Sequence, residues 1–199
     1  MQVLLPTKKN IAVVANYLNQ GAVVVAPTET AYGLLADATN NQAVKKIFKI
    51  KGRRLDKAVA IIVADLKMAK QYGKFSSTAE KMAKKNWPAP LTIVVPAKKY
   101  GLNKLASSIL LQKMVGMRIP KHEWLRQLIK KVGKPLTATS ANLTGKKNLY
   151  SFRQALSQFK NCNVSIIING KKLSYRPVST VVKIIGKKIT VLRQGAIKI

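Results

Sequence analysis

Carboxylates are what this chain has least of. Its 199 residues hold six, Glu29, Asp37, Asp56, Asp65, Glu80 and Glu123, against 37 lysines and arginines. Acids this few and this scattered argue against a dedicated metal centre built from side-chain oxygens. The single histidine, His122, sits in Lys-His-Glu-Trp and leaves no basis for a Ser-His-Asp triad; with the single cysteine, Cys162, it is too little for structural zinc or a disulfide. Long apolar runs are missing too: stretches such as Ala58 to Ala64 fall far short of the roughly 20 residues that span a bilayer. The chain starts Met1-Gln2-Val3-Leu4-Leu5-Pro6 and reaches Lys8-Lys9 only afterwards, the reverse of an export signal, so a reducing cytoplasm and no membrane contact are expected. Neither a G-x-x-x-x-G-K-[ST] loop nor a G-x-G-x-x-G turn occurs, so a nucleotide would need another device to hold it.

What is abundant is positive charge. The net value of +31 is enough to attract polyanions non-specifically at low salt. The basic residues are spread along the whole chain, and only seven of the 37 are arginine, the type better suited to planar recognition. A lysine-biased solvated surface and an RNA-binding face both fit this pattern. A hydrophobic share of 47% in 199 residues suits one core, and a single domain over 1–199 is expected.

The pattern alternates strands with helices. Ile11, Val14, Ala15 and Leu18 at helical spacing predict a helix over 7–20, capped by Thr7 and stopped at Gly21. Two short apolar runs, 22–26 and 31–36, flank the polar turn Thr28-Glu29-Thr30. A helix from Asn40 or Asn41 to about Ile50 delivers Lys51-Gly52-Arg53-Arg54, and Asp65 and Ser76 or Ser77 cap two more. Strands are expected at 58–63, 91–95, 114–119, 135–139 and 164–168, helices at 121–132 and 152–159. A hairpin of 180–185 with 188–192 turns about Gly186-Lys187. This order predicts an α/β domain with a mixed sheet.

Four spots gather polar groups where strands end, the usual place for ligands in open α/β sheets. They are the turn 27–33, the cations Lys51, Arg53, Arg54 and Lys57, the small polar run Ala138-Thr139-Ser140-Ala141-Asn142, and the pair Ser179-Thr180 with Arg193. Each has a plainer alternative: an ordinary turn, a helix end favoured by its dipole, a helix N-cap, and routine strand pairing.

Their order and wording resemble one family. Pro-Thr-Glu-Thr-Ala-Tyr-Gly-Leu (27–34), Ile-Phe-Lys-Ile-Lys-Gly-Arg (47–53), Trp-Pro-Ala-Pro-Leu-Thr (87–92), Val-Gly-Met-Arg-Ile-Pro (115–120), Pro-Leu-Thr-Ala-Thr-Ser-Ala-Asn-Leu-Thr-Gly (135–145), Ser-Thr-Val-Val (179–182) and Leu-Arg-Gln-Gly-Ala-Ile (192–197) are similar to YrdC-type threonylcarbamoyl-adenylate synthases. The resemblance implies the short, single-domain YrdC-like fold: a twisted mixed parallel and antiparallel sheet, flanked by helices, around a central ligand cleft. It implies a nucleotidyltransferase that joins L-threonine, bicarbonate and ATP into threonylcarbamoyl-adenylate and pyrophosphate, for N6-threonylcarbamoyladenosine in tRNA. Carried over by position, Lys51, Arg53, Ser140 and Asn142 are the catalytic set. ATP is expected on Lys51, Arg53, Lys57, Thr139, Ser140, Asn142 and Arg193, and threonine on Thr28, Tyr32, Arg118 and Ser179. Mg²⁺ is expected to enter with ATP, without a metal site of the protein's own. The partners implied are proteins that pass the threonylcarbamoyl group to tRNA. The charge keeps open a double-stranded RNA or ribosome-associated binding protein of the same fold. Two departures concern the chain path: Lys57-Ala58-Val59 follows the Lys-x-Arg turn, and Ala89 stands where glycine is commoner.

Overall fold

The alternation of capped helices and β-branched runs is realised in a computed structural model that describes residues 1–54 and 59–199. The elements run β1 (Gln2–Leu4), α1 (Asn10–Asn19), β2 (Val24–Pro27), β3 (Tyr32–Leu35), α2 (Asn41–Lys51), β4 (Ala60–Ile62), α3 (Leu66–Tyr72), α4 (Ser77–Asn86), β5 (Leu91–Pro96), α5 (Lys99–Lys104), a 3₁₀ turn, β6 (Met114–Arg118), α6 (Glu123–Val132), β7 (Leu136–Ser140), α7 (Phe152–Phe159), β8 (Ile166–Ile168), β9 (Thr180–Ile185) and β10 (Lys188–Arg193). Helix starts follow capping chemistry: the side chains of Asn40, Asp65, Ser76 and Ser151 accept from the backbone N–H groups of Ala43, Met68, Ala79 and Gln154. Ser151 and Gln154 complete a reciprocal capping box. α2 and α6 end on Gly52 and Gly133 at φ 57° and 75°, left-handed values that glycine adopts without strain.

The sheet order is β1-β8-β2-β3-β7-β4-β6-β5-β9-β10, with parallel pairs β1·β8, β8·β2, β4·β6 and β5·β9 among antiparallel ones. The mixed sheet is therefore as expected. Pro27 pairs with Tyr32, so residues 28–31 form the tight turn between β2 and β3.

Side-chain alternation assigns each strand two faces. On β4, Ile61 joins the core beneath α2, α3 and α4, whereas Ile62 joins the core beneath α1 and α6. The first face continues under α7 through Val25, Leu34 and Ile167. Helices α1 and α6 bury the second face only from β8 to β4, where Val24, Leu35, Leu136 and Ile166 lie. Farther along that face, β6, β5 and β9 present Gly116, Arg118, Thr92, Val94, Val181 and Lys183 to a cavity instead of a helix. The uncovered half of one sheet face positions the site.

Several local expectations need correcting. Thr7 does not cap α1: Lys9 occupies that position in helical conformation without a side-chain bond, and Thr7 gives its carbonyl to Asn10 N–H while its hydroxyl is buried. β1 was not expected; at three residues it has too little pattern to show a period, and it forms only by pairing with β8. α5 was likewise unforeseen, because Lys-Tyr-Gly-Leu-Asn-Lys carries neither an N-cap side chain nor an apolar stripe. No helix follows Ser140, so the plainer reading of 138–142 as a helix N-cap fails. Ala89 avoids positive φ, so its replacement of glycine is tolerated by the backbone. Lys57 and the first residue of the expected 58–63 strand lie outside the described residues. Among the described residues no helix is long and apolar enough to cross a membrane.

The C-terminal segment is tied back by one side chain. The fully buried Thr180 Oγ1 donates to Ile197 O at 2.7 Å and accepts from Gly195 N and Ile197 N, each at 3.0 Å. Thr180→Val keeps the shape and removes all three bonds. It is expected to lower unfolding free energy by about 1 to 3 kcal/mol in urea titration and to expose the chain after β10 to proteolysis.

Candidate active site

A cavity of about 540 Å³ opens over the bare half of the sheet. Thr28, Tyr32, Arg53, Arg118, Thr139, Ser140, Ser179 and Arg193, eight of the residues singled out from the sequence, line it together. They come from the β2–β3 turn, the end of α2, β6, β7 and the two ends of the β9–β10 hairpin, elements far apart in sequence. Lys51 and Asn142 are not on its wall, but both are bonded to Ser140, which is.

Lys51 is 3% exposed, and its ammonium donates to Ser140 O and Asn142 O at 2.6 Å and to Asn142 Oδ1 at 3.2 Å. Ser140 Oγ donates to the same Asn142 Oδ1 at 2.5 Å, and Asn142 Nδ2 donates to Lys146 O. The Lys and the Ser-x-Asn thus form one closed unit that fixes the loop after β7. Burial, and secondarily the neighbouring Arg53, lower the Lys51 pKa to about 8. Burial also lowers the pKa of Arg53.

The second unit centres on Ser179. Arg118, itself 7% exposed, donates from Nη1 to Ser179 Oγ at 2.5 Å. Arg193 donates from Nε and Nη2 to Ser179 O at 3.0 and 2.7 Å. The pairing of Ser179-Thr180 with Arg193 read from the hairpin is met, whereas the resemblance assigns Ser179 to threonine and Arg193 to ATP; here the two are bonded to each other. Desolvation and then the charge of Arg118 lower the Arg193 pKa.

In the β2–β3 turn the Thr28 hydroxyl is already engaged: it donates to Ala31 O at 2.7 Å and accepts from Thr30 N and Ala31 N. Tyr32 is fully buried, and its hydroxyl donates to Lys171 O and accepts from Gly170 N, both at 3.0 Å. Both residues therefore shape the wall through bonds to the backbone. Burial raises the Tyr32 pKa.

Sequence reasoning missed further lining residues: Arg176, Lys183, Gln112, Asn148, Thr92 and Gly116. A signal existed for some of them. In β9 the buried Thr180, Val182 and Ile184 alternate with Val181 and Lys183, and in β6 Val115 and Met117 alternate with Gly116 and Arg118, so every second residue faced away from the core. Gly116 keeps the floor low, since a Cβ there would come 3.3 Å from Thr92 Cγ2 and 3.4 Å from Val94 Cγ2. The described lining carries Arg53, Arg118, Arg176, Lys183 and Arg193 and no carboxylate. Such a surface gathers anions, and its hydroxyls and small residues admit polar ligands close to the backbone.

A basic cavity over the uncovered half of one sheet face defines an α/β protein with a cleft that gathers anions. Residues 16–195 match the Sua5/YciO/YrdC family, described as telomere recombination, and the chain belongs to that family. It is 32% identical over 188 residues to the threonylcarbamoyl-AMP synthase of Pyrococcus abyssi, an alignment covering 94% of this chain and 54% of the relative. It is 33% identical over 192 residues to the putative threonylcarbamoyl-AMP synthase of Methanocaldococcus jannaschii, covering 96% and 88%. The crystal structure of P. abyssi Sua5 complexed with L-threonine superposes with a TM-score of 0.89 at 31% identity, over 98% of this chain and 58% of that one. The chain thus spans little more than half the length of the P. abyssi relative.

Two outcomes test this geometry. Because the fold lowers the Lys51 pKa from 10.5 to about 8, the stabilisation it contributes is present above the unfolded value and is lost as pH falls through the folded one. NMR of ¹³Cε-lysine-labelled protein is expected to show one lysine titrating near pH 8 that disappears in Lys51→Met; a triphosphate bound beside it would move that titration upward. Gly116→Leu is expected to fill the cavity floor and abolish ligand binding at a cost of about 1 to 3 kcal/mol in stability, checked by calorimetry on the variant after its fold is verified by circular dichroism.

Proposed function

We propose that the chain is a nucleotidyltransferase making threonylcarbamoyl-AMP and pyrophosphate from L-threonine, bicarbonate and ATP. The observation that carries this reading is that two cation-bearing units, Arg118–Ser179–Arg193 and Lys51–Ser140–Asn142 with Arg53, converge on one cavity large enough for an amino acid beside a nucleotide. The names of the relatives and the threonine complex of P. abyssi Sua5 support the same chemistry.

In this reading the threonine amine attacks the carbon of bicarbonate, a C–O bond breaks with loss of water, and N-carboxy-threonine forms. Its carboxylate oxygen forms a bond to the α-phosphorus of ATP as the bond from that phosphorus to the bridging oxygen breaks, and pyrophosphate leaves. The reaction needs no covalent nucleophile from the protein; it needs three anions held together with their repulsion offset. Arg118 receives the threonine carboxylate in a pocket shaped by Thr28, Tyr32 and Ser179. Arg53, Ser140, Thr139 and Arg193 face the nucleotide, with Lys51 and Asn142 holding the loop after β7 and Ser179 O holding Arg193. Mg²⁺ arrives as MgATP, which suits a lining of cations and hydroxyls. The product passes to proteins that transfer the threonylcarbamoyl group to tRNA.

The net charge of +31 favours a second reading, an RNA-binding module of the same fold. Pyrophosphate release separates the two. It is expected only when L-threonine, bicarbonate and MgATP are all present, and release without bicarbonate would sink the synthase reading. Arg118→Ala is expected to raise the KM for threonine about 10- to 100-fold, the loss of one charge-assisted pair, with a smaller effect on the KM for ATP. RNA binding that survives mutation of Lys51 and Ser140, without turnover, would favour the second.

A further inference from the structure

Glu29 is the acidic residue of the β2–β3 turn, and it is bound unlike the other described acids. Asp37 accepts from Thr39 and Lys134, Asp65 caps α3, Glu80 pairs with Lys70, and Glu123 accepts from Arg126 and Gln127. The Glu29 side chain is 10% exposed, and neither carboxylate oxygen has a hydrogen-bond partner among the described residues. Among the described residues its one ion pair is with Arg118, Oε1 lying 3.3 Å from Nη1 without hydrogen-bond geometry, while that nitrogen donates to Ser179 Oγ. Arg118 Nε is likewise buried without an acceptor. A buried carboxylate lacking hydrogen bonds is unfavourable unless a charge offsets it. Here that charge belongs to the guanidinium on the cavity floor.

We propose that Glu29 is a positioning residue that reserves Arg118 for the small carboxylate of the amino-acid substrate and keeps it from being drawn to the triphosphate. The inference rests on reading Arg118 as the amino-acid anchor. Arg118 shares the cavity with Arg193, whose like charge repels it, and with the site proposed for a polyanion more highly charged than any amino acid. An arginine free to swing would follow the larger charge. A fixed counter-charge away from the cavity lining opposes that pull, and because it makes no hydrogen bond it leaves the directional N–H groups available. The oxygens of Glu29 are shielded, so the residue acts through Arg118 and does not touch the ligand. The role also accounts for an acid in the turn at all, where Thr28 alone closes the backbone bonds.

Calorimetric titration of the full chain with L-threonine and, separately, with MgATP tests this. Glu29→Gln is expected to weaken threonine binding about tenfold or more and to leave MgATP binding unchanged or tighter. Glu29→Asp, which keeps the charge one methylene farther back, is expected to recover most of the loss. Equal weakening for both ligands means a merely structural role and overturns the proposal, as does unchanged threonine affinity. If Glu29→Gln does not fold, the smaller residual effect of Glu29→Asp carries the test: a weakening of threonine binding alone supports the proposal, and no weakening, or one shared with MgATP, overturns it. Unimpaired threonine binding by Arg118→Met would instead sink the reading of Arg118 itself, a result distinct from any outcome at Glu29.

Discussion

The ammonium of Lys51 is held by three oxygens, none of them ionised. A cation taken out of water needs acceptors for every N–H, yet a site that must attract anions cannot have its charge cancelled. Backbone carbonyls and a side-chain amide meet both demands: they fix the direction of the charge and leave its sign. Ser179 O does the same for Arg193, and Ser179 Oγ for Arg118. The chain's shortage of carboxylates and the chemistry of its cavity are therefore consistent with each other. Glu29 is the exception: its buried carboxylate sits against Arg118.

That arrangement depends on a sheet left half covered. Helices α1 and α6 fill one face from β8 to β4 with Leu18, Leu125, Leu128 and Ile129. Past β4 the same face changes residue type, to Gly116, Thr92 and Arg118, so closing it with a further apolar helix would bury unpaired polar groups. The other face stays apolar across β4, β6, β5 and β9 and packs under α3 and α4, which gives the floor its rigidity. Backbone register then brings functional groups together: Ile62 pairs with Arg118, and Thr92 with Val181 two residues from Ser179.

Much of this was legible in the residues because local chemistry decided it. Asn40, Asp65, Ser76 and the Ser151–Gln154 pair begin helices for reasons contained within four residues, and Gly186 at φ 58° turns the hairpin where the pattern required. The mixed character of the sheet and eight polar residues of the cavity wall followed from the strand-end polar runs together with the family resemblance. What stayed hidden depends on long-range pairing. β1 exists only through β8, and nothing near Lys51 in sequence shows that its three acceptors lie about 90 residues away, at the end of β7 and in the loop after it. Arg176 and Asn148 sit in irregular segments with no period to read, so only the folded chain brings them to the cavity.

The surplus charge and the cavity charge work over different distances. At physiological ionic strength an exposed lysine is screened within about 8 Å, so surface lysines act on the encounter rate with polyanions in general and contribute little once a ligand is seated. Lys51 and Arg118 are nearly excluded from solvent, where screening is weak and each hydrogen bond is directional. Salt should therefore slow capture of any polyanion long before it loosens the grip on a carboxylate bound at Arg118. In the reading proposed above, selectivity belongs to the buried Arg118, and a change of charge at residue 29 acts on one ligand and not on the other.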